Sequence, residues 1–116
     1  MQLSPETTNS MPIQSNWTRI RTFVLDNEAV NAWDIYEVEL LRFEEAWKAL
    51  EWLLGRNPTI GVCREAGGNK YWLYKQDSDV FAMTPSIAVV YSFDDNHIYI
   101  HGIKAEEANR NWQGNA

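Results

Sequence analysis

Two apolar runs joined by a short polar turn constrain the fold of this chain most strongly. The runs cover Ile87 to Phe93 and Ile98 to Ile103, and the turn centres on Asp95-Asn96. Apolar runs of this length around such a turn predict a β-hairpin in which Phe93 lies opposite Ile98. One face of the hairpin is then apolar throughout and is expected in the core: Ile87, Val89, Tyr91, Phe93, Ile98, Ile100 and Gly102.

The hydrophobic period changes upstream of the hairpin, where apolar residues recur at alternating spacings of three and four. Asp26 or Asn27 is a plausible helix N-cap, and Gly55 followed by Asn57-Pro58 is typical of a helix end. This pattern predicts an amphipathic helical region between these signals. Its apolar stripe consists of Ala29, Trp33, Tyr36, Leu40, Phe43, Trp47, Leu50 and Leu54.

The helical region is long for a chain of 116 residues. We therefore expect two helices with a break between Ile35 and Phe43, although no Gly or Pro marks that break. One long helix is the alternative. The charged residues on the opposite side are interpreted as a solvated helix face rather than as paired catalytic carboxylates.

Two further strands are predicted from β-branched and aromatic residues. The first covers Thr18 to Leu25, and a short one covers Tyr71 to Gln76. The segment between Arg56 and Lys70, with three glycines, is interpreted as a loop. The sequence therefore predicts an α+β fold: an N-terminal strand, a helical hairpin or one long helix, then a three-stranded antiparallel meander with the helices on one sheet face.

The chain length and its 45% hydrophobic content suit a single domain. We expect a flexible polar arm over residues 1–16, one α+β domain over residues 17–104 and a polar tail over residues 105–116. No apolar run reaches the length of a membrane span. The lone Cys63 cannot form an internal disulfide, and together these features predict a cytoplasmic protein.

A formal net charge of −6 argues against strong nucleic-acid binding, which depends on Lys and Arg neutralising phosphates. A metal site at His97 and His101 is also disfavoured, because four residues along a strand separate their side chains by about 13 Å. The glycines in "AGGNK" lack the spacing of a phosphate-binding loop. We therefore expect neither a metal nor a cofactor.

The second face of the hairpin is mixed and is the candidate binding surface. It carries Ala88, Val90, Ser92, Tyr99, His101 and Ile103. If Leu73 faces the helices, Trp72 and Tyr74 join Tyr99 and His101 in an aromatic patch. Aromatic side chains are enriched in interface hot spots, so these four residues are predicted to bind a protein segment. The alternative is that the N-terminal arm or the tail covers the patch.

The order of elements, with "EEAWKALEWLLGRNPTIG" and "PSIAVVYSFDDNHIYIHGIK", resembles the RelE/ParE superfamily of toxins from bacterial toxin-antitoxin modules, a family also linked to plasmid stabilization. The residues that carry the resemblance are the helix end at Asn57-Pro58 with Gly61, Tyr91 before the acidic turn Asp94-Asp95, and the strand from Ile98. The resemblance covers roughly residues 18 to 104.

The resemblance implies a candidate activity, because a ribosome-dependent branch of this family cleaves mRNA with basic groups on the open sheet face. This chain has Trp72, Tyr74 and Ala88 where that branch has basic residues, and Lys104 is followed by Ala105 and acidic residues. The resemblance thus implies a divergent, non-nucleolytic binding domain that is part of or derived from a toxin-antitoxin module.

The family also implies a partner, an antitoxin-like protein segment, which the acidic net charge predicts to carry Lys and Arg. Two alternatives stay open: a gyrase-poisoning toxin, or an mRNA endoribonuclease with His101 as its candidate catalytic group, since histidine is a common general acid or base. The sequence decides neither whether the protein is an enzyme nor its oligomeric state.

Overall fold

A computed structural model describes residues 20–108, which form two helices and a five-stranded mixed sheet, an α+β fold as expected. The elements are β1 (Thr22–Leu25), α1 (Asn27–Glu39), α2 (Phe43–Arg56), a 3₁₀ turn (Pro58–Ile60), β2 (Val62–Ala66), β3 (Asn69–Gln76), β4 (Ser86–Phe93) and β5 (His97–Glu106). The strand order across the sheet is β1-β5-β4-β3-β2. β1 runs parallel to β5, and the other neighbours are antiparallel.

The helical region is divided into two helices, with the break at residues 40–42 inside the predicted interval. Asp26 caps α1, because its Oδ1 accepts a hydrogen bond of 2.9 Å from the Ala29 N–H. Arg42 adopts a left-handed conformation with φ of 60°, which is costly for a residue with a Cβ. Its guanidinium contacts Glu45 at 3.0 Å and the Ala82 carbonyl at 2.6 Å, and these contacts help to offset that cost.

The core lies between the helices and one face of the sheet. Its fully or nearly buried members are Ala29, Phe43, Ala46, Trp47, Leu50, Leu54, Ile87, Val89, Tyr91, Ile98, Ile100 and Ala105. Trp33, Tyr36 and Leu40 of the predicted stripe pack half-buried against them. The predicted contact between the helical stripe and the apolar face of the hairpin is therefore confirmed.

The predicted three-stranded meander is wrong, because β2, β3, β4 and β5 form an antiparallel meander of four strands. The segment assigned to a loop contains β2, which pairs antiparallel with β3. Gly67 and Gly68, with φ of 59° and 82°, form the turn between these strands. Both conformations are ones that glycine adopts without a steric penalty, as the tight hairpin turn requires. The glycines therefore mark a two-residue turn rather than a long loop.

A β-bulge in β5 changes which side chains face the core. Val90 lies opposite Gly102 while Tyr91 lies opposite Ile100, so His101 is an extra residue in β5. One extra residue in a strand reverses which sheet face each of the following side chains lies on. Ile103 therefore packs against the core and Gly102 lies on the other face, the reverse of the sequence prediction for both residues.

The 3₁₀ turn contacts the sheet through a hydrogen bond from Tyr91, and Gly61, which follows the turn, closely approaches the backbone of β3. The buried Tyr91 hydroxyl donates a hydrogen bond of 2.7 Å to the Pro58 carbonyl. Burial raises the pKa of Tyr91 to about 12. A Cβ on Gly61 would lie 2.5 Å from both the Leu73 carbonyl oxygen and the Tyr91 hydroxyl. The close approach of these segments explains why glycine stands at position 61.

The ends of the predicted domain differ in part from the structure. The first strand covers residues 22–25 of the predicted interval. β5 continues to Glu106, and Ala105 is buried, so the sheet extends past the boundary placed at residue 104. The predicted arm over residues 1–16 and the end of the predicted tail lie outside the described residues. Between residues 20 and 108, no helix combines the length and the apolar character that crossing a membrane requires.

Candidate functional site

The sheet face turned away from the helices, here called the open face, carries a groove with an apolar floor. Val62, Leu73, Val90 and Gly102 lie opposite one another on four neighbouring strands and form a continuous apolar row. The groove above this row has a volume of about 590 Å³. Val62 and Leu73 are 51% and 41% exposed, so the row is accessible from solvent. An exposed apolar groove of this size is typical of a binding surface.

Basic side chains border the groove. Lys75 and Lys104 flank Ala88 in the strand register, which places their Cα atoms about 10 Å apart across two strand spacings. Arg64 lies on β2 at the same groove. Within the described part of the chain, no carboxylate oxygen lies within 4.0 Å of these cations. Glu106 lies on the same face beside Lys75 and Lys104, so the three cations outnumber this carboxylate and leave the groove with a local excess of positive charge.

A polar cluster adjoins the other side of the apolar row. Ser92 Oγ lies 2.9 Å from His101 Nε2, and His101 Nδ1 lies 3.6 Å from Asp26 Oδ2. The Tyr71 ring packs edge-to-face against the His101 ring, with centroids 5.6 Å apart. Because His101 is the extra residue of the bulge, the bulge is what brings its ring to these partners. The cluster combines a hydroxyl, an imidazole and a carboxylate, groups that can move a proton.

Tyr99 is held by the turn that follows β4. Its hydroxyl donates a hydrogen bond of 2.8 Å to Asp94 Oδ2. Asp94 Oδ1 accepts the backbone N–H groups of Asn96 and His97 at 2.8 and 2.7 Å. These hydrogen bonds, the Asn96 N–H foremost, lower the pKa of Asp94 from 3.8 to about 2. Tyr99 thus lies on the open face in a fixed orientation, with its hydroxyl engaged.

The structure does not bring the four predicted binding residues together. Tyr99 and His101 lie on the open face, but Trp72 is opposite Tyr91 and Tyr74 is opposite Val89, both core positions. The centroids of the Trp72 and Phe93 rings are 5.4 Å apart. Burial raises the pKa of the Tyr74 hydroxyl, and the negative charge of Asp77 raises it further. The predicted side of Trp72 and Tyr74 is therefore wrong.

The error in β3 hid the basic residues of the open face. With Trp72 and Tyr74 on the core side, Leu73 and Lys75 face outward. The two large aromatic rings bury more apolar area in the core than Leu73 could. Lys75 could have indicated the correct orientation of β3, because a lysine is rarely buried without a partner. If Lys75 faces solvent, Leu73 also faces solvent, and Trp72 and Tyr74 face the core.

Nothing in the described residues forms a metal site. Between residues 20 and 108, no three His, Cys, Asp or Glu side chains are grouped closely enough to hold a metal ion. His97 Nδ1 instead lies 3.3 Å from Asp94 Oδ1, and His101 contacts Ser92. The chemistry that this face offers comes from side chains alone: an apolar floor, a cationic border and the Ser92–His101–Asp26 cluster.

Comparison with known proteins identifies no relative of this chain. No protein-family model, no curated protein and no solved structure matches this chain.

Proposed function

We propose that this protein is a binding domain that holds an extended segment of a partner protein on its open face. The observation that carries this proposal is the apolar row beneath a cation-bordered groove. The partially exposed Val62 and Leu73 supply apolar contact area, and the fixed Tyr99 adds an aromatic surface nearby. A rigid sheet presenting such a surface loses little conformational entropy on binding.

Local charge defines the chemistry of the segment. Screening limits the influence of distant charges to about 8 Å at physiological salt, so the cations at the groove dominate over the net charge of the chain. Arg64, Lys75 and Lys104 therefore favour a segment that alternates apolar residues with Asp or Glu. This proposal reverses the expected preference for Lys and Arg, which followed from the net charge alone.

We further propose that the domain is a divergent, non-nucleolytic relative of the RelE/ParE toxins, part of or derived from a toxin-antitoxin module. The motifs around Asn57, Gly61 and Tyr91 support this relationship. The partner is then an antitoxin-like segment, and the open face is where it lies. A small reading frame beside the gene whose product contains an acidic, apolar-rich segment is the expected genetic context.

The experiment is a selection of peptides followed by measurements on variants. A phage-displayed library of random linear peptides is selected on the purified protein, and the affinity of the enriched peptide is measured by calorimetry. We expect enrichment of Asp, Glu and apolar residues and weaker binding as salt rises. Replacing Lys75 and Lys104 together by Glu should weaken binding about tenfold or more, equal to about 1.4 kcal/mol.

Lys48 on α2 provides the matched control, because it is an exposed lysine whose nearest carboxylate is Glu44 on the same helix. Lys48→Glu changes the net charge in the same direction but lies away from the open face, so it should leave the affinity within about twofold. Equal losses in the Lys48→Glu protein and in the Lys75/Lys104 variant would contradict the proposed surface.

A second candidate function is cleavage of mRNA on the ribosome. One observation favours it: the register of β3 and the bulge in β5 place Lys75, Lys104 and Arg64 on the same face as His101. Lys75 therefore lies on the open face, where the sequence predicted Trp72 and Tyr74 instead. In such a reaction His101 would accept the proton of the ribose 2'-hydroxyl, and the cations would stabilise the charge that develops on phosphate.

Primer extension on a translated message separates the two candidates. The binding proposal predicts no new cleavage sites when the protein is added to translating ribosomes. Cleavage that disappears with His101→Ala and weakens with Lys75→Ala would contradict the binding proposal and support ribonuclease activity. A gyrase-poisoning activity, the remaining alternative, would produce DNA double-strand breaks and no cut message.

A further inference from the structure

Asp26, His101 and Ser92 form a connected series of polar groups that the proposed binding function does not require. Asp26 precedes α1, Ser92 lies on β4 and His101 is the bulged residue of β5. The distances are 2.9 Å from Ser92 Oγ to His101 Nε2 and 3.6 Å from His101 Nδ1 to Asp26 Oδ2. A hydroxyl, an imidazole and a carboxylate in this order form the arrangement that activates a serine nucleophile.

The contacts around the imidazole favour the tautomer that this chemistry needs. Asp26 Oδ2 lies 3.6 Å from Nδ1, just beyond direct hydrogen-bond distance, and its negative charge on that side of the ring favours a proton on Nδ1. Nε2 then carries the free lone pair and accepts the hydrogen bond from the Ser92 hydroxyl. Tyr71, packed edge-to-face on the ring, restricts its rotation. The side chains of His101 and Asp26 are 36% and 47% exposed, so a substrate can reach the cluster.

We propose that Ser92 is a nucleophile that takes up the acyl group of an ester, with His101 as its general base and Asp26 as the residue that positions His101. Ser92 Oγ forms a bond to the carbonyl carbon while its proton moves to His101 Nε2. The bond from that carbon to the ester oxygen breaks, and the leaving alcohol takes the proton from Nε2. Water then attacks the acyl-serine, and Oγ regains a proton, so that ester and water give acid and alcohol.

The groove identifies the class of acyl group. Val90 lies two residues before Ser92 on the same face of β4, about 7 Å along the strand. The apolar row that contains Val90 and Leu73 therefore begins within reach of a short acyl chain bound to Ser92. An ester with an apolar acyl chain should react faster than the corresponding acetate, because only the longer chain reaches this row.

The test uses p-nitrophenyl butyrate and p-nitrophenyl acetate with the purified full chain. Release of p-nitrophenolate measures attack on the ester, and intact-protein mass spectrometry with peptide mapping locates the acyl group. We expect the butyryl group on Ser92 and a rate about tenfold or more above that of Ser92→Ala. Ser86→Ala is the matched control, because Ser86 also lies on β4 with its side chain on the open face, and it should react like the parent.

Asp26→Asn tests the positioning role without removing the helix cap, since Asn caps a helix about as well as Asp. Its stability should match that of the parent, while kcat for the ester should fall with KM unchanged, because the carboxylate that faces Nδ1 is lost. If parent and Ser92→Ala release p-nitrophenolate equally, or if the acyl group maps to another residue, the cluster is only a structural brace and the proposal is overturned. The proposal does not rest on peptide binding, since neither ester assay involves a peptide.

Discussion

The substitution Gly61→Ala tests how closely the 3₁₀ turn, β3 and β4 approach one another. The added Cβ would lie 2.5 Å from the Leu73 carbonyl oxygen, a backbone atom, and 2.5 Å from the Tyr91 hydroxyl. The hydroxyl cannot move freely, because it is buried and donates to the Pro58 carbonyl at 2.7 Å. Either the start of β2 moves away from β3 or the Tyr91 hydrogen bond is lost.

Each outcome has a known cost. Overpacking a close-packed site typically costs about 1–3 kcal/mol, and leaving the buried Pro58 carbonyl without its donor costs a similar amount, about 1–3 kcal/mol. We therefore expect Gly61→Ala to lower the free energy of unfolding by about 2–4 kcal/mol. Backbone dihedral strain contributes nothing, because φ of Gly61 is −77°, an ordinary value for alanine.

Urea melts of Gly61→Ala and of a control, Gly102→Ala, measure this cost. A Cβ on Gly102 meets nothing within 4 Å, so the control should stay within about 0.5 kcal/mol of the parent. Combining Gly61→Ala with Tyr91→Phe should cost less than the sum of the single changes, because both disrupt the same hydrogen bond. A Gly61→Ala protein as stable as the Gly102→Ala protein would refute the described approach of these segments.

Three further predictions concern the core, the acidic turn and the buried tyrosine. Leu50→Ala should lower the free energy of unfolding by about 2–5 kcal/mol, because Leu50 is fully buried, whereas Val38→Ala, at an 81% exposed valine, should change it by less than about 0.5 kcal/mol in the same melts. Asp94 stabilises the fold in its ionised form, since its pKa is lowered from 3.8 to about 2. This stabilisation is complete above pH about 4 and is lost as the pH falls through about 2. In acid titrations followed by unfolding, Asp94→Asn should therefore lose less stability than the parent over this pH range. Tyr91→Phe should cost about 1–3 kcal/mol by denaturant melt, from the unsatisfied Pro58 carbonyl, and equal stability would contradict the buried hydrogen bond.

The helices and the central hairpin could be predicted because their hydrophobic periods are clear. The stripe from Ala29 to Leu54 repeats at the helical period, and the pairing of Phe93 with Ile98 follows from the length of the turn between them. Burial then fixes which side of each element faces the core. These features depend on local pattern, which a single sequence contains.

The register of β3 was harder to predict, because apolar residues occupy both of its faces. In "YWLYKQ" either Leu73 or the pair Trp72 and Tyr74 could face the helices. The structure packs the half-buried aromatic pair against the core and exposes Lys75, so that the larger apolar area faces the core and the charge faces solvent. Charge, rather than hydrophobicity, was the decisive signal in this strand.

The polar cluster could not have been predicted from sequence spacing. Asp26 and His101 are distant in sequence and meet because β1 pairs in parallel with β5, so that the Asp26 N–H bonds the Ile100 carbonyl at 3.1 Å. The bulge that brings His101 beside Ser92 depends on how β5 bends over the whole sheet. Neither feature leaves a local pattern in the chain.

The most direct test of the proposed function is the location of the bound peptide. A titration of the ¹⁵N-labelled protein with the enriched peptide, followed by two-dimensional NMR, measures the shift of each backbone amide. We predict the largest shifts at Leu73, Ala88, Val90 and Gly102, around the groove, and small shifts along the outer sides of α1 and α2. Shifts confined to the helices, with the amides of the groove unchanged, would contradict the assignment of the open face as the binding surface.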